Sequence, residues 1–247
     1  MQRIFGKTLS FASLVLLGAA AMPACTDEDG MIFIRNNLAP PETRTNGCTY
    51  QPDPQALTRS GGSMDVAQTS TYAMNLIVGN QLIARGDSTS PRPETNRVHF
   101  EGAVVRITDT NQNTINEFTS LTTGFAEAST SNTPGYGLAQ FSAMDAETVR
   151  RIGLSKRGDA KLVLAHIKIF GKTLGGVDVE SAEWTYPIQL GYGNLITYLN
   201  DTSAPTPNCL GTPPTTPPVK PCSYGQDELT LCTDCAGNPA CAGAVTP

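Results

Sequence analysis

The sequence predicts an all-β protein: an immunoglobulin-like β-sandwich of about seven to eight strands with one short helix, plus a small disulfide-rich C-terminal tail. Three observations carry this reading. Between Gly62 and Leu199 apolar residues recur mostly at every second position, the period of a strand with one buried face. Turn formers punctuate those runs, and charged residues make up only 16% of the chain while Thr, Asn, Gly and Pro abound. Four of the seven cysteines crowd between Cys222 and Cys241. A closed β-barrel is the alternative, because it is written with the same strand pattern. With 247 residues and 39% apolar content, the chain can build one domain with a real core and have tails left over.

Residues 1–24 read as an export signal. Arg3 and Lys7 give a positive head, and Thr8 to Ala21 is uncharged and mostly apolar. That run is shorter than the roughly 20 residues a spanning helix needs. Met22, Pro23 and Ala24 lead into Cys25. The junction resembles the lipobox of bacterial lipoproteins, with Ala24 in its usual place and with Met22 and Pro23 where Leu and a small residue are typical. Cleavage after Ala19-Ala20-Ala21 is the alternative. Parity favours the lipobox: seven cysteines leave one unpaired in an exported chain, and lipidation of Cys25 leaves six that can all pair. Thr26 follows Cys25, so the acid that retains lipoproteins in the inner membrane of enteric bacteria is missing, and the outer membrane is expected.

Residues 25–61 are then anchor, tether and first strand. Asp27, Glu28 and Asp29 lack the alternating ligand rhythm of a calcium loop and read as a solvated tether. "MIFIR", Met31 to Arg35, reads as a strand separated from Cys25 by only five residues, a reach of roughly 17 Å at most. Residues 36–61 form a Pro-rich loop containing Cys48.

Residues 62–200 form the sandwich. "TYAMNLIVGN" puts Tyr72, Met74, Leu76 and Val78 on one face, and "NQLIARG" continues it after a bend. In "RVHFEGAVVRITDT" Gly102 marks a bulge, beyond which Ala103, Val105 and Ile107 share a face. "NEFTSLTTGFAEA" reads as part strand, part turn, and "YGLAQFSAM" as a strand. "DAETVRRIG" is the one helix: Asp145 caps it, acids occupy its first turn, Arg150 and Arg151 its last, and Gly153 stops it. "KLVLAHIKIFGKT" alternates Val163, Ala165, Ile167 and Ile169 with Leu162, Leu164, His166, Lys168 and Phe170. "VDVESAEWTYPIQL" aligns Ala182, Trp184, Tyr186, Ile188 and Leu190, and Pro187 there predicts an edge or a bulge.

Residues 201–221 form a Pro/Thr-rich linker, and residues 222–247 the Cys-rich tail. The tail spacing lacks the two-pair symmetry of a zinc ribbon, and no strand-helix-strand unit surrounds Cys232-Thr-Asp-Cys235 to make it a redox pair. Structural disulfides among Cys48, Cys209, Cys222, Cys232, Cys235 and Cys241 are expected. The expected pattern is a long Cys48–Cys209 bridge, with two local bridges among the last four cysteines.

A net charge of −5 with no basic patch argues against a nucleic-acid partner. The chain contains no G-x-S-x-G elbow, P-loop or H-E-x-x-H. His99 and His166 read as ordinary strand residues, and the two Arg-Gly-Asp triplets, Arg85–Asp87 and Arg157–Asp159, as turns. No catalytic residue, cofactor or metal is therefore assigned.

The succession of Cys25, "MIFIRNN", Cys48, "YAMNLIVGN", "ETNRVHFEGAVVRITD", "IFGKTLGGVDVESAEWTYPIQL" and a Cys-rich tail with "GQD" resembles secreted lipoproteins of myxobacteria and related soil bacteria. "LIVGN" with paired hairpins is similar to the sandwich of late-embryogenesis-type water-stress proteins, which implies fold alone. The expected function is a membrane-anchored extracytoplasmic lipoprotein, held through lipidated Cys25, acting as a structural or protein-interaction module of the cell envelope. The alternative is a small-ligand or glycan-binding module using loops Asp87–Asn96 or Ser129–Tyr136 and a pocket rimmed by Trp184 and Tyr186. A hydrolase of unrecognised type is the third reading.

Overall fold

The computed structural model describes residues 30–44, 47–86, 93–200, 208–212, 219–235, 237–238 and 240–241. The expected export signal, Cys25, the expected acidic tether and Asp87 lie outside the described residues.

The fold is an all-β sandwich with one helix among the described residues. Its strands are β1 (Ile32–Leu38), β2 (Thr58–Arg59), β3 (Gly62–Asp65), β4 (Tyr72–Asn80), β5 (Val98–Thr108), β6 (Thr114–Ala126), β7 (Gly135–Met144), β8 (Ala160–Thr173), β9 (Asp178–Glu180), β10 (Trp184–Gly191), β11 (Ile196–Thr197) and β12 (Thr230–Leu231). Seven of them, β1, β4, β5, β6, β7, β8 and β10, reach seven residues or more and form the body. One sheet runs β2-β1-β4-β7; the other runs β3-β10-β8-β5-β6, with β9 on β8. All pairings in the body are antiparallel except β10 with β3.

The alternation read from the sequence sets the inner faces. Tyr72, Met74, Leu76 and Val78 of β4 meet Ala103, Val105 and Ile107 of β5 and Val163, Ala165, Ile167 and Ile169 of β8, all essentially without solvent contact. Each large aliphatic side chain so buried contributes about 1.5–3 kcal/mol. Helix α1 (Ala146–Ile152) carries the chain from β7 in one sheet to β8 in the other. Asp145 accepts the Thr148 N–H at 2.8 Å, Glu147 pairs with Arg150 and Arg151, and Gly153 ends the helix in the left-handed conformation (φ 71°).

Of four local expectations, two change and two hold. "NQLIARG" does not extend β4; Ile83 makes only an isolated bridge to Ser129, because Asn80 turns inward and its side chain takes the Asn96 and Glu127 carbonyls. "NEFTSLTTGFAEA" is one continuous strand as far as Ala126, within β6, whose pairing along β5 outweighs its weak alternation. Gly102 does mark a bulge, shared by both neighbours of β5. Pro187 lies inside β10 in regular register with β8; its missing N–H is tolerated because β3 joins only from Ile188 onward, which makes Pro187 locally an edge position.

The disulfides also differ. Cys48 bonds Cys222, Cys209 bonds Cys232, and Cys235 bonds Cys241. The long bridge therefore goes to Cys222 instead of Cys209. The parallel pairing of β11 with β12 explains why: it brings the segment after Tyr198 alongside Cys232, so Cys209 is used locally. Around these strands Ile196, Tyr198, Cys232, Ala240 and Cys241 make a small second core. Buried Asp65 ties it to the sandwich by accepting N–H groups from Ala67, Gly193 and Leu195 and the Gln68 amide.

Candidate functional site

A dense polar cluster lies where β1 leaves β4. The last paired position is Asn37 opposite Leu76. Beyond it, the backbone of β4 has no strand on that side. Asn37 reaches across and its Oδ1 accepts the Asn75 N–H at 3.1 Å. Two residues further, Gln226 of the tail takes over. Its Oε1 accepts the Ala73 N–H at 2.9 Å and its Nε2 donates to the Ala73 carbonyl at 2.6 Å. One carboxamide thus satisfies both backbone groups of Ala73, as a neighbouring peptide unit would.

Asp227 follows, with a positive φ of 61° that Asp tolerates better than most residues. Its N–H donates to the Ser63 carbonyl at 2.9 Å, and its Oδ1 accepts the Ser63 N–H at 2.9 Å. Its Oδ2 accepts the Tyr72 hydroxyl at 2.9 Å. Arg59 donates to the Asp227 carbonyl at 3.0 Å, and its guanidinium stands 3.9 Å from the carboxylate. The Tyr186 hydroxyl, 3.5 Å from that of Tyr72, accepts from Asn37 Nδ2 at 3.2 Å. Burial dominates the electrostatics. It pushes the Asp227 carboxyl above its ordinary value despite the hydrogen bonds from Ser63 and Tyr72 and the charge of Arg59. It raises the Tyr72 and Tyr186 hydroxyls as well.

The tail residues therefore act as a plug in the open side of the sandwich. The plug is clamped by the Cys48–Cys222 bond, by Arg44 paired with Glu228, and by the Cys222 N–H on Glu228 at 2.9 Å. A cleft of about 370 Å³ opens beside it, lined by Leu38, Pro40, Pro41, Tyr50 and Leu57, with Glu42 and Asp53 among its polar groups.

The candidate ligand residues fall next to the plug. Trp184 is half-buried and stacks on Tyr186, ring centres 5.3 Å apart. Tyr186 is 1% exposed, and its hydroxyl is spent inside the cluster. Loop Ser129–Tyr136 is a tight turn closed on itself by Thr130 and Thr133; loop Asp87–Asn96 lies partly outside the described residues.

His166 sits in a network of its own. Its Nε2 is 3.1 Å from the Thr108 hydroxyl and its Nδ1 2.9 Å from Glu183, which Arg106 also holds. Burial alone would raise the Glu183 carboxyl, but hydrogen bonds from Arg106 and His166 hold it below its ordinary value. The order hydroxyl, imidazole, carboxylate is that of a hydrolytic triad. Thr108 is wholly buried, however, so its hydroxyl cannot meet a substrate, and the network joins β5, β8 and the segment before β10. In the second Arg-Gly-Asp triplet, Arg157 lies over the Tyr198 ring and Asp159 accepts N–H groups of its own turn.

Gln226, Asp227, Arg59 and Asn37 are the functional candidates that sequence reasoning missed. The only mark they leave in the sequence is "GQD" set among cysteines, with Gly225 in a positive-φ conformation against Gln68 and Thr69. Among the described residues no group of His, Cys, Asp or Glu is arranged to hold a metal ion, and no helix is long and apolar enough to cross a membrane. Comparison with protein-family models, with curated proteins and with solved structures finds no match to this chain.

Proposed function

We propose that this chain is an exported lipoprotein of the bacterial outer membrane, of the type its sequence resembles, and that it serves the cell envelope as a structural or protein-interaction module. One observation carries the reading. Three disulfides consume six of the seven cysteines, and the seventh is Cys25, at the end of the export signal. Disulfides persist in oxidising compartments, and a multiply acylated cysteine is a stable anchor. No catalytic step is assigned. The mechanism is mechanical: a lipid holds one end of a rigid sandwich while the stapled tail closes the other. Intact mass of the mature protein, with and without reductant, tests it. The expected chain begins at Cys25, carries acyl groups and gains six hydrogens on reduction. An unacylated chain cleaved after Ala21, or an unprocessed chain with free thiols, would overturn the reading.

A second reading, a small-ligand or glycan-binding module, is favoured by the 370 Å³ cleft, whose size and apolar lining fall within the range of ligand sites.

A further inference from the structure

We propose that the end of the sandwich carrying Met31 rests on the lipid surface and inserts Ile83, Leu174 and Val177 into it. The inference rests on the anchoring of Cys25. Three segments converge at this end. Met31 accepts the Gln81 N–H at 2.9 Å, two residues from Ile83. The Ile83 carbonyl accepts from Asn96 at 2.7 Å, and the neighbouring Arg97 carbonyl accepts the Leu174 N–H at 2.9 Å. Leu174 and Val177 flank the tip of the β8–β9 hairpin, closed by Thr173 N–H on the Val177 carbonyl. The three side chains are 65%, 54% and 48% exposed. Hairpin tips in water are ordinarily polar, so a Leu and a Val here, beside an exposed Ile, are out of place unless something apolar covers them.

The occupant follows from the length of chain that leads here. Five residues separate Cys25 from Met31, so an acylated Cys25 holds this end within roughly 17 Å of the bilayer. No other macromolecule is brought so close by the chain itself. The charged groups beside the three side chains are already engaged: Arg97 pairs with Glu127 and Lys172 with Asp178, while Glu94 is capped by the Arg85 and Gly86 N–H groups. The strand direction fixes the other end. β4 runs from Tyr72, beside the Asp227 plug, to Asn80, beside Met31, roughly 27 Å at about 3.4 Å per residue. The disulfide-stapled tail and its cleft therefore face away from the membrane, where a partner can reach them.

Quenching by brominated lipid tests this on the full acylated chain in phosphatidylethanolamine/phosphatidylglycerol vesicles. The chain's one tryptophan, Trp184, lies mid-sheet opposite Ile167 and is an internal control. Leu174→Trp in a Trp184→Phe background is expected to lose at least about half its emission, since a face inserted about 5–10 Å lies among the bromines. Wild-type Trp184 is expected to lose little. A Leu174→Trp protein that floats with the vesicles yet is quenched only by aqueous acrylamide overturns the docking and leaves the anchor standing. Shielding from both quenchers, with a doubled hydrodynamic mass, overturns it in favour of a second copy on this face. Failure of the wild type to float overturns the anchor and the docking with it.

Discussion

Where β6 meets β7, Gly137 and Gly124 let two backbones touch; where β1 parts from β4, the gap is filled by Gln226 and Asp227 from the far end of the chain. The β6–β7 seam is continuous with the fold. The Thr122 hydroxyl donates to the Gln140 carbonyl at 2.8 Å, and Ser120 accepts the Ser142 N–H at 3.1 Å, so two side chains stand in for a strand ladder and half-close the sandwich into a barrel. The elements it joins are adjacent in sequence, so little loop entropy opposes it. The plugged side joins residues more than 150 apart, and the chain holds it with a covalent bond as well as with polar contacts. The comparison teaches that one side of this sandwich is closed by its own backbone, whereas the other is closed by a separable part.

The seam should be the less forgiving. A Cβ on Gly137 would lie 2.2 Å from the Phe125 carbonyl oxygen and 2.7 Å from its carbon, with only backbone to give way. Gly137→Ala is expected to cost about 4 kcal/mol or more, or to prevent folding, placing it in the tail of single-substitution effects. Gly30→Ala, where nothing lies within 4 Å, is the neutral control. Denaturant melts would measure both. A Gly137→Ala protein of near wild-type stability would mean the backbones do not touch.

The plug should yield next. Cys48→Ser with Cys222→Ser releases a bond spanning 174 residues. Chain entropy alone gives about 5 kcal/mol, and native strain usually lowers the realised figure to about 3. The same change at Cys235 and Cys241, six residues apart, should cost about 2 kcal/mol. Equal losses would show that the long bond does not close the sandwich. Trp184 emission gives a second measure, because its stacking partner Tyr186 belongs to the cluster under the tail.

The same division explains what the sequence made legible. The inner faces of β4, β5 and β8 and both caps of α1 could be read because each follows from residues within one element: period two, or a cap and its first turn. β6 was harder. It is an edge strand whose exposed side alternates only weakly, and β5 confers its regularity. Pro187 was half-readable: the residue demands a missing neighbour, but only the register of β3 shows on which side. Beyond "GQD" set among cysteines, nothing local marks the plug. Gln226 and Asp227 look like any polar turn, and their roles exist only because β1 happens to leave β4 three residues before Ala73. Cysteine parity gave the number of bridges and no partners, since pairing depends on β11 lying beside β12.

The subtlest difference between the two sides is titration, which the β6–β7 contacts lack. Asp227→Ala leaves the Ser63 N–H and the Tyr72 hydroxyl without their acceptor and is expected to cost about 2 kcal/mol. Asp227→Asn is different. Its oxygen still accepts from Ser63, and its amide can donate to the Tyr72 hydroxyl oxygen, so at neutral pH it should equal the wild type or exceed it by less than about 1 kcal/mol. The sign follows from burial, which raises the folded Asp227 carboxyl above its unfolded value near about 4. Between those two values the folded state binds more protons than the unfolded one. Stability is then fully present below the unfolded value and is lost as pH rises through the folded one. The margin of Asp227→Asn over the wild type should therefore shrink as pH falls from 7 toward 4, the other carboxylates cancelling between the two proteins. Melts of the pair across that range measure it. A margin that widens on acidification would mean that Arg59 outweighs burial and that Asp227 holds the tail as a salt bridge, which would make the plug strongest at neutral pH.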